Sequence, residues 1–268
     1  MKLKSGIYHY DCKVIVSGDI VEVFEYSKGV FKGFVNNGSC RRESEDITEE
    51  EKVKNREKSL NRARREFMRT VNANVGCYGE IKPKFVTFTF ADNVKDLNEA
   101  NSIWTKFIKR LNYRVYGKKC SQLKYGVVPQ FQERGAVHYH VIFFNLPYID
   151  SNELADIWGQ GFIKINAIDD VNNVGAYVCR YMVSSFDDER LRGQKCYFFS
   201  RGVKRSKEIY LDYEDLESIK KSLPVEARVY QAEYNNDFVG VVKYEQFNLS
   251  ISGSKDLGNF SIMERCMN

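Results

Sequence analysis

No stretch of this chain approaches the roughly 18 consecutive apolar residues that a membrane-spanning helix requires. The opening residues, MKLKSGIYHYDCK, lack the apolar core of a signal peptide. The expectation is an intracellular protein with no membrane partner. The 7 cysteines (Cys12, Cys40, Cys77, Cys120, Cys179, Cys196, Cys266) are odd in number and scattered, with no C-x-x-C pair among them. They encode neither a disulfide framework nor a zinc knuckle, and read as reduced thiols that pack as small hydrophobes. Proline is scarce, at 4 residues, and no Pro-rich linker, low-complexity tract or internal repeat is present. The ATPase loop G-x-x-x-x-G-K-[ST] is also missing, so the sequence gives no sign of an ATP-driven motor of its own. Acidic residues trail basic ones only slightly, 36 to 41. A formal charge of +5 hints weakly at an anionic partner, and the placement of the basic residues carries more information than their sum.

What is present has a clear order. With 43% hydrophobic and 29% charged residues the chain can bury a core, which excludes wholesale disorder. Residues 7–35 alternate apolar and polar positions around Gly18 and Gly29, as short antiparallel strands joined by turns do. From Thr48 the composition shifts to a Gly- and Pro-free run with acidic residues first and basic ones later, the polarity a helix dipole favours. Between Lys52 and Arg69 this helix sets eight basic residues, Arg62, Arg65 and Arg69 among them, against Glu57 and Glu66. Such a run grips phosphates or is simply a solvated face. Thereafter FVTFTF (85–90) reads as a buried strand and Asn98 to Tyr116 as a helix. Tyr125 to Gln132 and Val137 to Phe144 read as a hairpin, Ser151 to Trp158 as a short helix, Phe162 to Ile168 as a strand and Val171 to Ser184 as a helix. This order is that of a split βαβ layout, an α+β fold whose central antiparallel sheet carries helices on one face. Beyond Phe186 come a basic loop containing Arg201, Lys204 and Arg205, a helix from Tyr213 to Ser222, and strands at Val225 to Tyr234 and Phe238 to Leu249.

The chain has 3 histidines, and His138 and His140 lie two apart in GAVHYHVIFF. On a strand both imidazoles leave the same face, a metal-ligand spacing, and two core histidines would otherwise each need hydrogen-bond partners. A hairpin loop of Arg134 to Ala136 would pair Gln132 with His138 and Gln130 with His140, making the glutamines candidate third ligands or ordinary sheet-face amides. In VGAYVCRYMVSS, Tyr177 and Tyr181 stand at i and i+4 of a helix with Arg180 between them. A phenol with pKa near 10 attacks poorly unless its electrophile is activated, and a divalent ion polarising a phosphodiester supplies that activation.

With FVTFTF, HYH (138–140) and YVCRY (177–181) in that order, residues 82–206 resemble the HUH endonucleases, in particular the replication initiator (Rep) proteins of rolling-circle plasmids and single-stranded DNA phages. The resemblance implies a ferredoxin/RRM-like catalytic domain over 81–210, preceded by a β appendage (1–46) and the basic helix (47–80), and followed by an α+β extension (211–268). It implies a nickase and strand transferase that cuts single-stranded DNA at an origin, leaving a 5′-phosphotyrosine link and a 3′-OH primer. Tyr177 matches the nucleophile and Tyr181 the second tyrosine of two-tyrosine members. His138, His140 and Gln130 would hold Mg²⁺ or Mn²⁺, and Arg201, Lys204 and Arg205 would contact DNA alongside Arg62, Arg65 and Arg69. The implied partners are an origin hairpin and a host helicase and polymerase, in the cytoplasm of a bacterial host. Two positions depart from the family pattern. Gln130 stands where a carboxylate is common, and Arg180 where the tyrosine motif carries lysine. A transposase would share this chemistry, and a non-catalytic single-strand binder would use Phe85, Phe88 and Phe90 as a stacking platform.

Overall fold

The computed structural model describes residues 8–33, 47–166, 168, 172–186 and 188–251. The chain begins with β1 (Tyr8–Ser17), β2 (Ile20–Lys32) and α1 (Glu49–Asn72). There follow β3 (Lys84–Thr89), α2 (Leu97–Tyr116), β4 (Tyr125–Phe131), β5 (Val137–Phe143), α3 (Ser151–Trp158), β6 (Ile163–Asn166) and α4 (Val174–Phe186). The last elements are β7 (Phe198–Phe199), β8 (Lys207–Leu211), α5 (Tyr213–Ser222), β9 (Arg228–Asn236) and β10 (Gly240–Asn248). They form two compact units, Met1–Lys54 with Ser206–Asn268, and Asn55–Arg205. None of the described helices is long and apolar enough to cross a membrane.

The first unit holds a five-stranded antiparallel sheet in the order β8-β1-β2-β10-β9. Its N-terminal hairpin therefore pairs with strands from the other end of the chain. The 207–211 segment, read from sequence as part of a basic loop, is the strand β8 because alternate residues Ile209 and Leu211 bury themselves. Gly29 lies inside β2 rather than at a turn. Helix α5 is started by the Asp212 carboxylate, which accepts from the Asp215 N–H at 2.9 Å. It sets Leu216 and Ile219 against Cys12, Val14, Val21, Val23 and Phe247 on one face of the sheet.

The second unit holds an antiparallel sheet in the order β6-β3-β5-β4-β7. Its faces follow the alternation of β3 and β5. Val86, Phe88, Tyr139, Val141 and Phe143 face α2 and α3, where Phe88 sits among Trp104, Phe107 and Trp158 at centroid distances of 5.0–5.3 Å. Phe85, Val128 and Ile142 face α4 and the end of α1, with Phe67, Val71, Val174 and Val178. Helices thus cover both faces, not one. The reason is in the strands: β3 carries apolar residues on both sides, and a sheet apolar on both sides must be covered on both. Each fully buried aromatic or aliphatic side chain contributes about 1.5–3 kcal/mol. Helix α1 begins with a reciprocal cap in which Thr48 Oγ1 accepts from the Glu51 N–H (3.2 Å) and Glu51 Oε2 accepts from the Thr48 N–H (3.1 Å).

Candidate metal and tyrosine site

The hairpin of β4 and β5 sets the position of every candidate ligand. Its loop is Glu133, Arg134 and Gly135, closed by Gln132 N–H to Ala136 O and Gly135 N–H to Gln132 O, both 2.8 Å, with Gly135 at φ 85°. That is a three-residue loop with glycine in the left-handed position. It starts one residue earlier than the sequence reading has it, so Gln130 rather than Gln132 lies opposite His138, and Val128 rather than Gln130 opposite His140. The slip moves each partner by two positions, which preserves the face. Gln132 is drawn away to the hairpin tip, where its Oε1 accepts from Arg134 Nε at 3.0 Å. Arg134 in turn donates to the carbonyls of Phe90 and Ala91 and ties the tip to the end of β3.

Gln130 therefore reaches both histidines. Its Oε1 is 2.5 Å from His138 Nε2 and 2.6 Å from His140 Nε2, with the two rings 4.7 Å apart. On the far side of His140, Nδ1 is 3.1 Å from Thr87 Oγ1, and the ring stacks on Phe85 at 5.9 Å. When Nδ1–H donates to Thr87, the Nε2 lone pair is left facing the cluster, the form a metal ligand takes. Burial, and then the neighbouring His138, lowers the His140 pKa to about 3; burial also lowers that of His138. Both rings are consequently neutral near pH 7. Among the described residues no group of three His, Cys, Asp or Glu could hold a metal ion, so the third donor of this cluster is the amide.

Thr87 is a residue that the sequence reading misses. Its signal is the alternation of FVTFTF, which sets Thr87 and Thr89 on the face opposite Val86 and Phe88, directly across the ladder from His140 and His138. Lys164 on the edge strand β6 faces Thr87 across the next ladder, bringing an exposed cation to the same face.

Helix α4 is anchored over this face by α1. Asn173 Oδ1 caps it by accepting from the Ala176 N–H (2.9 Å) and also accepts from Asn72 Nδ2 (3.0 Å), while Asn72 Oδ1 accepts from the Gly175 N–H at 2.7 Å. A Cβ on Gly175 would sit 2.4 Å from the Met68 carbonyl oxygen, so only glycine permits this approach. Gly175→Ala is expected to push α4 off α1 and to lower stability by roughly 1–3 kcal/mol despite the better helix propensity of alanine. A melting curve that stays put or rises in that variant would contradict the close approach.

Val174 and Val178 are buried in the cluster that holds Val128, the cross-strand partner of His140, and Tyr177 packs partly buried against that cluster. Arg180 is exposed, its guanidinium carbon 6.0 Å from the Tyr177 ring. Tyr181 lies one turn further along α4, and its side chain is outside the described residues. Burial pushes the Cys179 thiol up to about 12, which leaves this helix no ready thiolate.

Of the basic candidates, Arg62 and Arg65 are exposed and Arg69 half-buried, at spacings of three and four along α1. The loop of Arg201, Lys204 and Arg205 folds onto the end of the same helix. Lys204 exchanges backbone hydrogen bonds with the Asn74 side chain (2.8 and 2.9 Å), and Arg205 Nη1 reaches Glu66 Oε1 (3.3 Å) and Thr70 Oγ1 (3.2 Å). The structure thus gathers the two basic segments, with Arg205 held in an ion pair. Phe85, Phe88 and Phe90 are at most 1% exposed, so they cannot form a stacking platform.

No curated protein and no solved structure gives a match to the chain. Residues 83–186 match a family model of replication-associated proteins, that of the ORF2 type. The matched segment runs from β3 to the end of α4 and contains the histidine pair, Gln130 and both helix tyrosines. Over that segment the chain is similar to replication-associated proteins, which supports a replication initiator of the Rep type.

Proposed function

We propose that the second unit is the nicking domain of a rolling-circle replication initiator, a metal-dependent HUH endonuclease and strand transferase acting on single-stranded DNA at an origin. The observation that carries this reading is the convergence of His138 Nε2, His140 Nε2 and Gln130 Oε1 on one sheet face beneath a tyrosine helix. Two neutral imidazoles and an amide oxygen fit Mg²⁺ or Mn²⁺, with no anionic donor to lessen the ion's pull on a phosphate. Bound there, the ion would polarise a non-bridging oxygen of the scissile phosphodiester.

The residues of the chain do the rest. The Tyr177 oxygen attacks phosphorus and loses its proton as the new O–P bond forms. The bond from phosphorus to the 3′ oxygen breaks, and that oxygen takes up a proton, leaving a 5′-phosphotyrosine and a free 3′-OH. Arg180 offsets phosphate charge from beside the ring, and Tyr181 is positioned one helical turn away for a second transfer. The exposed Arg62, Arg65, Arg201 and Lys204 hold the strand, with Arg69 and Arg205 securing the loop and helix that present them. A host helicase and polymerase extend the primer.

The direct test incubates the protein with Mn²⁺ and single-stranded DNA from its own replicon, then maps any denaturant-resistant adduct by mass spectrometry. An adduct on Tyr177 or Tyr181 is the expected result; DNA binding with neither cleavage nor adduct would leave only a passive binder. Thr87→Val keeps the shape of the side chain and removes the partner of His140 Nδ1. It is expected to weaken Mn²⁺ binding about tenfold in a calorimetric titration, in line with other partners that orient ligand histidines.

A further inference from the structure

The first unit's sheet carries its own aromatic surface, on the side away from α5. Six rings follow one another across all five strands. Tyr210 meets Tyr10 at 4.7 Å, Tyr10 meets Tyr26 at 6.0 Å, Tyr26 meets Phe24 at 6.5 Å, Phe24 meets Tyr244 at 4.9 Å, and Tyr244 meets Tyr230 at 5.9 Å. The register explains the chain of contacts: Lys13 lies between Tyr210 and Phe24, Phe24 pairs with Tyr244, and Gln246, two residues beyond Tyr244, pairs with Tyr230. The α5 side is filled by aliphatic residues, whereas the solvent positions of such a sheet ordinarily carry small polar side chains. Here Tyr230 is 55% and the neighbouring Tyr234 46% exposed, and Phe24, Tyr244, Tyr10 and Tyr210 are half-buried.

The charges on this face favour an anionic strand. Lys13 Nζ stands 5.1 Å from the centre of the Phe24 ring and Lys32 Nζ 3.9 Å from that of Tyr210. The two carboxylates of the face are engaged by phenols: Glu22 accepts from the Tyr244 hydroxyl at 3.1 Å, and Glu208 from that of Tyr210. Rings offer every base a stacking partner, and ammonium groups among them offer the backbone a counter-charge.

We infer that this face is a second single-stranded DNA-binding surface, outside the segment similar to replication-associated proteins and independent of the nicking chemistry. It would hold the strand by stacking with little regard to sequence, as the buried phenylalanines of β3 cannot.

The test uses the full chain in chelator, with fluorescein-labelled oligothymidine followed by anisotropy. Replacing both Tyr230 and Tyr234 by alanine is expected to weaken binding roughly tenfold or more, from the typical worth of one or two stacked bases. Replacing both by phenylalanine should retain wild-type affinity. Unchanged affinity in a folded double alanine variant would overturn the proposal. Should that variant fail to fold, an oligothymidine carrying 5-iodouracil can be photocrosslinked to the wild-type protein. Crosslinks in β9 or β10 support the surface, and crosslinks confined to residues 83–186 overturn it. The two functions fail separately: Tyr177→Phe should leave this affinity intact, and absence of any adduct in the wild-type protein would leave the effect of the alanine pair standing.

Discussion

Tyr177→Phe is expected to abolish covalent DNA attachment while leaving noncovalent binding of single-stranded DNA within about twofold. The substitution removes one oxygen and keeps the ring. Tyr177 packs partly buried against the cluster of Phe85, Val128, Val174 and Val178, so phenylalanine preserves the contacts that seat α4 on the sheet. The caps from Asn173 and the bond from Asn72 to Gly175 are backbone-directed and do not depend on the phenol. Loss of a nucleophile commonly lowers turnover by at least about 10³-fold, so the adduct band should vanish from a denaturing gel. Cys179 offers no substitute, because its buried thiol stays protonated. An adduct that persists in Tyr177→Phe and disappears in Tyr181→Phe would reassign the attack to Tyr181. Persistence in the double variant would end the tyrosine mechanism.

The parts of this site legible in sequence are those that local rules govern. Histidines at i and i+2 must share a strand face whatever the register, and Thr48 followed by Glu51 must cap a helix. The starts of α3 and α5 are readable because Asp150 and Asp212 precede them as caps. The exact ligand pairing is not legible, since a one-residue uncertainty in the loop moves Gln130 from His140 to His138 while leaving the face unchanged. Nothing local marks the pairing of β2 with β10, and nothing in a short basic stretch announces that Ile209 and Leu211 will be buried in β8. The coverage of the second sheet on both faces is present in β3 as Phe85 on one side and Phe88 on the other. Periodicity reports the buried strand without saying which helix lies on which side. Likewise the aromatic face of the first unit is assembled from five strands, and no window of sequence contains more than a fragment of it.

His140→Ala is expected to lower Mn²⁺-dependent cleavage at saturating metal by at least about 10²-fold, several kcal/mol of lost electrophilic assistance at about 1.36 kcal/mol per decade. His140 is the sharper choice of the pair because it meets both Gln130 and Thr87, so its loss removes a donor and strands the group that orients it. Melting curves separate this from unfolding, and cleavage at the wild-type rate in chelator-treated buffer with added Mn²⁺ would remove the residue from the ligand set. Gln130→Glu probes the same centre in the opposite direction. A carboxylate at the position 2.5 Å and 2.6 Å from the two imidazole nitrogens adds the anionic donor that this cluster lacks. Mn²⁺ should then bind about tenfold more tightly, while cleavage at saturating metal falls, because an ion already partly neutralised draws less charge from the phosphate. Tighter binding with slower cutting would identify the amide as a donor chosen for reactivity over affinity. Unchanged binding would mean that the third ligand comes from elsewhere and that Gln130 serves only to hold the two histidines together.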